Sequence, residues 1–402
     1  MKLLYIGANW PQPWVTAAGL RTFDIIKALI KIGYEVEFFT IKKPNVQQIK
    51  SIKTLDIRFG HLQANNDKHF RYIVKNPNIC IFDTAKIEEM FGHKVYEYFP
   101  DCKRIIDTQD LHSLRLQRKK AVEEGKSMEE VMKLQLDWKD EMTCREFASI
   151  LRSNSIITSS TYEIELISNI FPHVNSVWLP FFYDDELIAK NRVDYTQNTD
   201  RENFVWIGNF MHEPNVDALE FMIKNIWPKI HAELGCEFHI YGANCPKEDK
   251  FSAPGVVVKK TMGSTKALAK YRCLLSYLRF GAGIKGKITD SFYYGLPVLT
   301  TSIGAESINP FPGFVEDDPD KYANLAIKLY NSPDIYSYQQ QAFDLMSAKF
   351  SKSANEGTLE KHLKSFTTHP IQNILFSETI RSSVYFAKYI EMKTNKELMN
   401  TD

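Results

Sequence analysis

The chain has 402 residues, 44% hydrophobic and 25% charged, with a formal net charge of +1 at pH 7. The length suggests two domains, the balance is that of a soluble globular protein, and no global field points to a nucleic-acid partner. The six cysteines (Cys80, Cys102, Cys144, Cys236, Cys245 and Cys273) form no C-x-x-C pair, which argues for free thiols in a reducing cytoplasm over disulfides or zinc.

The run from Leu3 to Ile6 is too short for a signal peptide or a membrane span, and Gly7 ends it. It reads as a buried strand of the parallel-sheet type. Pro11 and Pro13 forbid helix in the next loop. Leu20, Phe23, Ile26 and Leu29 then form a helical stripe after Ala17 and Gly19, Gly33 stops it, and a second strand follows at 35–39. This is a Rossmann-like opening. Its loop does not spell G-x-G-x-x-G, and Glu35 or Glu37 fits poorly as a ribose acid, so a nicotinamide domain is disfavoured. Arg21, in the first helical turn, reads either as a contact for an anionic acceptor or as a solvated helix charge.

Further strands are expected at 52–59, at 79–83 and from Arg104, the last two ending in Asp83 and Asp107. Open α/β sheets bind ligands outside the carboxyl ends of their strands, which places Asp107, Asp110 and His112 toward such a site. Asp110 reads equally as a cap of the helix beginning at Leu111. Asp107 with Asp110 as a metal pair rests on one short acidic cluster. Residues 111–151 read as helical and charged, divided at Gly125-Lys126-Ser127, with Ser127 and Glu130 as a capping box. Arg115, Arg118, Lys119 and Lys120 form a basic patch. It suits a lipid headgroup or an anionic acceptor, but a solvated face balanced by Glu123, Glu124, Glu129 and Glu130 is the favoured reading. A strand at 155–160, a helix from Thr161 and a strand at 177–180 follow.

Residues 191–203 are polar, lack a hydrophobic period and read as a linker. The pattern restarts at Phe204: a strand, then Gly208 and Asn209, then a helix after His212 carrying Val216, Leu219, Phe221 and Ile223. Strands at 238–241, 256–258 and 274–278 and a helix at 265–271 lead to a glycine-rich basic loop. There Gly281, Gly283 and Gly286 allow close backbone approach to a ligand, and Lys285 and Lys287 add charge. A helix beginning near Lys287 aims its positive end at the same place, so a phosphate-bearing ligand is the natural guest. Asp290 lies about one turn in, within reach of sugar hydroxyls. Acids at 316–320 read as a surface loop with Asp320 opening a helix at 321–331. Helices at 334–349 and 354–366 and a helical tail at 371–396 complete the chain.

The stretch from Leu278 to Thr301, continued through Ser302-Ile303-Gly304-Ala305-Glu306-Ser307-Ile308, resembles the signature of the group 1, family 4-like retaining glycosyltransferases. The resemblance implies the GT-B fold: α/β, with two Rossmann-like domains and a cleft between them. It implies an acceptor-binding domain at 1–190, a linker at 191–203, a nucleotide-sugar domain at 204–366 and a helical tail at 367–402 packing back on the first domain. It implies transfer of a sugar from a nucleoside diphosphate sugar to a hydroxyl acceptor, a membrane-linked glycan being one acceptor it allows. No metal or other cofactor is required on this reading, and the location is cytoplasmic, with peripheral attachment to a membrane left open. Donor contacts would come from Gly208, Asn209, Arg279, Gly281, Gly283, Lys285, Gly286, Lys287 and Asp290. His112 and Asp110 would act at the sugar, with Gly19 and Arg21 on the acceptor side. The sequence departs from the family in two places. Of two acids eight positions apart, Asp290 matches the second while Ala282 stands at the first. The usual basic pair after the first donor-domain strand is replaced by Asn209 and His212. A catalytically weak nucleotide-sugar or glycan-binding protein, or a sugar-nucleotide epimerase, remain the alternatives.

Overall fold

The computed structural model describes residues 1–13, 16–197, 200–245, 248–259, 261–333 and 338–368. The chain divides into two compact units, the first made of Met1–Ser113, Asp137–Pro180 and the segment from Glu356, the second of Leu114–Leu136 and Phe181–Asn355.

The first unit holds a seven-stranded sheet: β1 (Lys2–Gly7), β2 (Glu35–Thr40), β3 (Arg58–His61), β4 (Ile79–Asp83), β5 (Lys103–Asp107), β6 (Ser155–Thr158) and β7 (Ser176–Trp178). The order is β3-β2-β1-β4-β5-β6-β7, with every pair parallel. β1 and β4 are near-continuous apolar runs because a parallel sheet is covered on both faces. Helix Ala17–Ile32 begins where Thr16 accepts from the Gly19 amide and ends at Gly33, whose φ of 103° suits glycine. Leu4, Ile6, Phe39, Phe82 and Phe91 meet in one core.

The strand expected at 52–59 is mostly not one. Helix Val46–Lys53 occupies its start, opened by a reciprocal capping box between Asn45 and Gln48 and anchored by buried Ile52. Pairing with β2 begins only at Arg58.

The second unit holds β8 (Glu202–Ile207), β9 (Phe238–Tyr241), β10 (Val256–Lys259), β11 (Tyr271–Ser276), β12 (Val298–Thr300) and β13 (Phe314–Val315), ordered β10-β9-β8-β11-β12-β13 and parallel throughout. Trp206, Trp227, Phe238 and Phe251 anchor its core. The ends of β8 and β9 approach so closely that a Cβ on Gly242 would lie 2.0 Å from the Gly208 carbonyl oxygen. Glycine is required there by space.

Leu114–Leu136 belongs to this second unit, although it precedes β6 in the chain. Its two helical pieces, Leu114 onward in helix His112–Glu123 and Met128–Met132, place Ala121 and Val131 against Ala218, Leu278 and Ile303. Ser127 and Glu130 form the expected capping box. The residues expected as a linker are largely helix Asp185–Gln197. This polar segment is held by hydrogen bonds and rings in place of an apolar stripe: Asn191 donates to the Tyr293 carbonyl at 2.8 Å, Arg192 pairs with Asp344 at 2.6 Å, and Tyr195 packs on Phe343. Residues 265–270 form a 3-10 helix. Asp318, not Asp320, caps helix Pro319–Asn331. Helix Gln339–Leu345 continues as a π-helix at Met346–Phe350, and helix Lys352–Thr368 follows. Residues 334–337, and the expected tail beyond Thr368, lie outside the described residues. Among the described residues no helix is long and apolar enough to cross a membrane.

Candidate functional site

The glycine-rich loop leaves β11 through Leu278, whose carbonyl accepts from the Thr301 hydroxyl at 2.6 Å. Gly283 has a φ of 67°, a conformation that disfavours a side chain. The loop is fixed from one side by Arg118, which is fully buried. Its Nη1 donates to the Gly281 carbonyl at 2.9 Å, and its two terminal nitrogens grip the Glu306 carboxylate at 3.0 and 2.7 Å. The Lys285 Nζ lies 3.7 Å from the same carboxylate and donates to the Gly283 carbonyl at 2.6 Å. A single buried glutamate thus faces two cations, paired bidentately with Arg118, and the group keeps one net positive charge beside the loop. Arg118 is therefore not part of a solvated basic patch. Lys119 pairs with Glu213 and Glu123, and Lys120 with Glu124.

Helix Gly286–Tyr293 starts directly after Lys285, and no side chain caps it. Its first-turn N–H groups and dipole give the loop a positive end. Lys287, in that first turn, donates to the Asn215 Oδ1 at 2.8 Å and lies 4.7 Å over the Trp206 ring. An amide and an indole face it where a carboxylate would hold its proton, and burial pulls its pKa down to about 7. Asp290 accepts from the Tyr183 hydroxyl at 2.6 Å, and that hydroxyl also shares a 2.8 Å hydrogen bond with Thr289. Burial raises the Asp290 pKa to about 6, and burial with the adjacent Asp290 charge raises the Tyr183 phenol well above its usual value, so Tyr183 stays a donor.

Gly208 is required by the same two residues that hold Lys287. A Cβ there would fall 2.6 Å from the Trp206 ring and 3.0 Å from the Asn215 side chain. Asn209 fixes the loop, its carbonyl accepting from Asn215 and its Oδ1 from the Met211 amide and Asn244. Arg279 does not join the cationic group. Its guanidinium pairs with Asp217 and stacks over Phe221 at 4.7 Å, so it is a strand-end charge with its own partner.

In the first unit, the ends of β4 and β5 bring Asp83 and Asp107 side by side. Arg21 is 1% exposed and donates to both Asp107 oxygens at 2.8 Å and to the Leu179 carbonyl at 2.9 Å. This overturns the solvated-charge reading of Arg21. Its Nε and Nη1 are held by the protein, while its Nη2 is buried without a hydrogen-bond partner among the described residues. Asp107 in turn is occupied by Arg21 and the Tyr5 hydroxyl. Gly19 is tight against the preceding loop, where a Cβ would lie 2.9 Å from the Gln12 backbone. Gln109 sits at a φ of 57° and donates to Asp83. The loop beyond it is held by two buried glutamates: Glu163 accepts from the Leu111 amide, and Glu146 from the amides of His112 and Ser113. Glu146 thus serves two of the helix-opening amides. His112 Nε2 lies 3.3 Å from Asp110, and its side chain remains one-third exposed. Among the described residues no three His, Cys, Asp or Glu side chains group as metal ligands would.

The structure thus gathers Gly208, Asn209, Gly281, Gly283, Lys285, Gly286, Lys287 and Asp290 in the second unit, and His112 with Asp110 in the first. The contacts of Tyr183 and Asn215, and the pairing of Arg118 with Glu306, were not read from sequence. Each contact joins residues far apart in the chain, such as 188 positions between Arg118 and Glu306, and no local pattern signals it.

Residues 201–332 match the family model for glycosyl transferases group 1. Among solved structures, the chain is similar to a glycosyltransferase from Rickettsia africae ESF-5, with 11% identity and a TM-score of 0.63, covering 92% of this chain and 99% of that one. It is similar to HepE of Anabaena in complex with UDP and glucose, with 12% identity, a TM-score of 0.63 and coverage of 91% and 100%. It is also similar to a mutant of S. aureus TarM in complex with Fondaparinux, alpha-GlcNAc-glycerol and UDP, with 11% identity, a TM-score of 0.64 and coverage of 91% and 100%. No curated protein matches the chain in sequence. At these identities the likeness is one of fold, and that fold is GT-B.

Proposed function

We propose that the protein moves a sugar from a nucleoside diphosphate sugar to a hydroxyl acceptor, with retention and without a metal; the match of residues 201–332 to the group 1 glycosyl transferase model and the GT-B fold support this reading. The observation that carries this is the Gly281–Lys287 loop. It combines an uncapped helix N-terminus, backbone held open by glycines, and two lysines of which one is partly desolvated. Breaking the anomeric C–O bond leaves charge on the diphosphate, and donors already fixed in place stabilise that charge without reorganising. Asp290, oriented by Tyr183, is the ribose acceptor. His112, with Asp110 beside it, serves the sugar. UDP is the first nucleotide to try, because HepE and TarM are both found with it. A cytoplasmic location belongs to the same proposal, because a nucleoside diphosphate sugar is water-soluble.

The test is a thermal-shift panel with UDP, GDP, ADP, CMP and NAD on the full chain and on Asp290→Asn. A ligand at about 100 times its Kd stabilises the folded state by about 2.7 kcal/mol. One nucleoside diphosphate is expected to raise Tm in the parent protein, with most of the shift lost in the variant. A shift with NAD alone, or none with any nucleotide or with UDP-glucose, would overturn the reading.

A further inference from the structure

Beyond β5 the chain reaches Asp110 and His112 through a residue with an uncommon backbone. Gln109 stands at a φ of 57°, a left-handed conformation that costs a non-glycine residue energy and persists where the surroundings over-determine it. Its side-chain amide donates to the Asp83 carboxylate at 3.0 Å and to the Thr22 hydroxyl at 3.2 Å, and its amide oxygen accepts from Arg21 at 3.2 Å. Its backbone carbonyl accepts from the Ser159 hydroxyl at 2.8 Å. These anchors come from the first helix, the end of β4 and the residue after β6, and all four are buried.

The chemistry of the anchors dictates the residue between them. A carboxylate only accepts and a guanidinium only donates, so the side chain must offer a donor to Asp83 and an acceptor to Arg21. An amide does both. Glutamate has the same shape and does not. Arg21 is already paired with Asp107, which stands beside Asp83 in the strand register, so a further negative charge here would face two carboxylates. Downstream, the Asp110 amide donates to the Thr108 carbonyl at 2.6 Å and the His112 amide to Glu146 at 2.8 Å. The turn that carries Asp110 is thus pinned by Gln109 on one side and by Glu146 on the other.

We propose that Gln109 is a positioning residue: its amide, locked between Asp83 and Arg21, holds the left-handed turn that sets Asp110 and His112 at the sugar. The role at the sugar rests on the transferase reading. The hold on the loop does not.

The experiment compares Gln109→Glu with the double variant Asp83→Asn, Gln109→Glu. The single substitution turns the donor facing Asp83 into an acceptor. The double variant exchanges the two groups and returns the charge of the pair to that of the parent, so it tests the pair and not the separate residues. Nuclear magnetic resonance of protein labelled at the histidine Cε1 carbons reads the loop, with the His112 signal assigned by its loss in His112→Gln. That signal is expected to shift or broaden in Gln109→Glu and to return in the double variant. Turnover of UDP-glucose is expected to fall by about tenfold or more in the single variant with KM unchanged, since a misplacement of about 1 Å can cost about 100-fold, and to recover in the double variant. The shift of Tm with UDP-glucose should match the parent in both, because the nucleotide contacts lie in the second unit. Gln109→Gly adopts the left-handed turn freely but lacks the side-chain anchors, and it serves if the glutamate variant does not fold; it too is expected to move the His112 signal. A His112 signal that neither Gln109→Glu nor Gln109→Gly moves, or that the double variant fails to restore, overturns the proposal. So does parental turnover in Gln109→Glu. If the parent protein neither binds nor turns over UDP-glucose, it is the transferase reading that has lost its support, and movement and restoration of the His112 signal still decide for or against the hold of Gln109 on the loop.

Discussion

Lys287→Met, compared with the parent protein across a pH series, tests the electrostatics of the loop most directly. In the unliganded protein burial brings the Lys287 pKa to about 7. A bound diphosphate favours the charged ammonium, so binding is coupled to proton uptake. If the ligand returns the pKa to near the ordinary lysine value of about 10.4, affinity falls by about tenfold from about pH 6 to about pH 8. UDP-glucose is the ligand to use, because its diphosphate does not titrate in that window. Calorimetric titration at several pH values reads both the affinity and, through buffers of different ionisation heat, the proton uptake. Lys287→Met is expected to bind weakly and with no slope. The stability of the unliganded protein has its own sign. The folded pKa is depressed, so between about 7 and the unfolded value of about 10.4 the unfolded chain binds more protons, and stability rises with pH through that window. Below it the cost of desolvating the charge is present in full. Lys287→Met, which carries no charge to desolvate, should therefore melt higher than the parent at about pH 6 while binding less. A pH-independent affinity in the parent protein, or an unchanged one in the variant, would refute the reasoning.

Two other outcomes follow from the packing. Arg118→Met leaves Glu306 buried without its guanidinium and should cost about 3–5 kcal/mol, while Arg118→Met combined with Glu306→Gln should recover much of the loss, both read by urea denaturation. Gly242→Ala would set a methyl carbon 2.0 Å from the Gly208 carbonyl oxygen, a contact only backbone movement relieves, and should cost about 1–3 kcal/mol with a matching fall in the urea midpoint.

What was legible in the sequence is what short-range pattern encodes. The two β–α–β series, the Gly281–Lys287 loop and the Ser127–Glu130 box all rest on periodicity, glycine spacing or a four-residue motif. The strand expected at 52–59 failed because a local box at Asn45 and Gln48 starts a helix that carries the apolar Ile52 into the core by another route. Arg118 was misread for a different reason. A run of basic residues beside glutamates has the composition of a solvated face, and its actual partner is supplied from the far end of the chain. Arg21 is the same case, with Asp107 as the hidden partner. Asp290 was found as a candidate acid, but the tyrosine that orients it lies 107 positions earlier and carries no motif.

The division of the chain also orders events during synthesis. Neither unit is one continuous piece, and Leu114–Leu136 leaves the ribosome long before the residues on which it packs, Ala218, Leu278 and Ile303. Glu306 follows Arg118 by 188 residues, so at about 5–20 residues per second the arginine waits roughly 10–40 s for its carboxylate. Through that interval the nascent segment carries a cation and the apolar side chains of Ala121 and Val131 without their final environment. The first unit, too, stays unfinished until its last stretch, from Glu356, emerges. A premature stop within the second unit would therefore strand both units at once, and a ribosome-bound intermediate of this protein should be a ready client for chaperones that shield exposed hydrophobic surface.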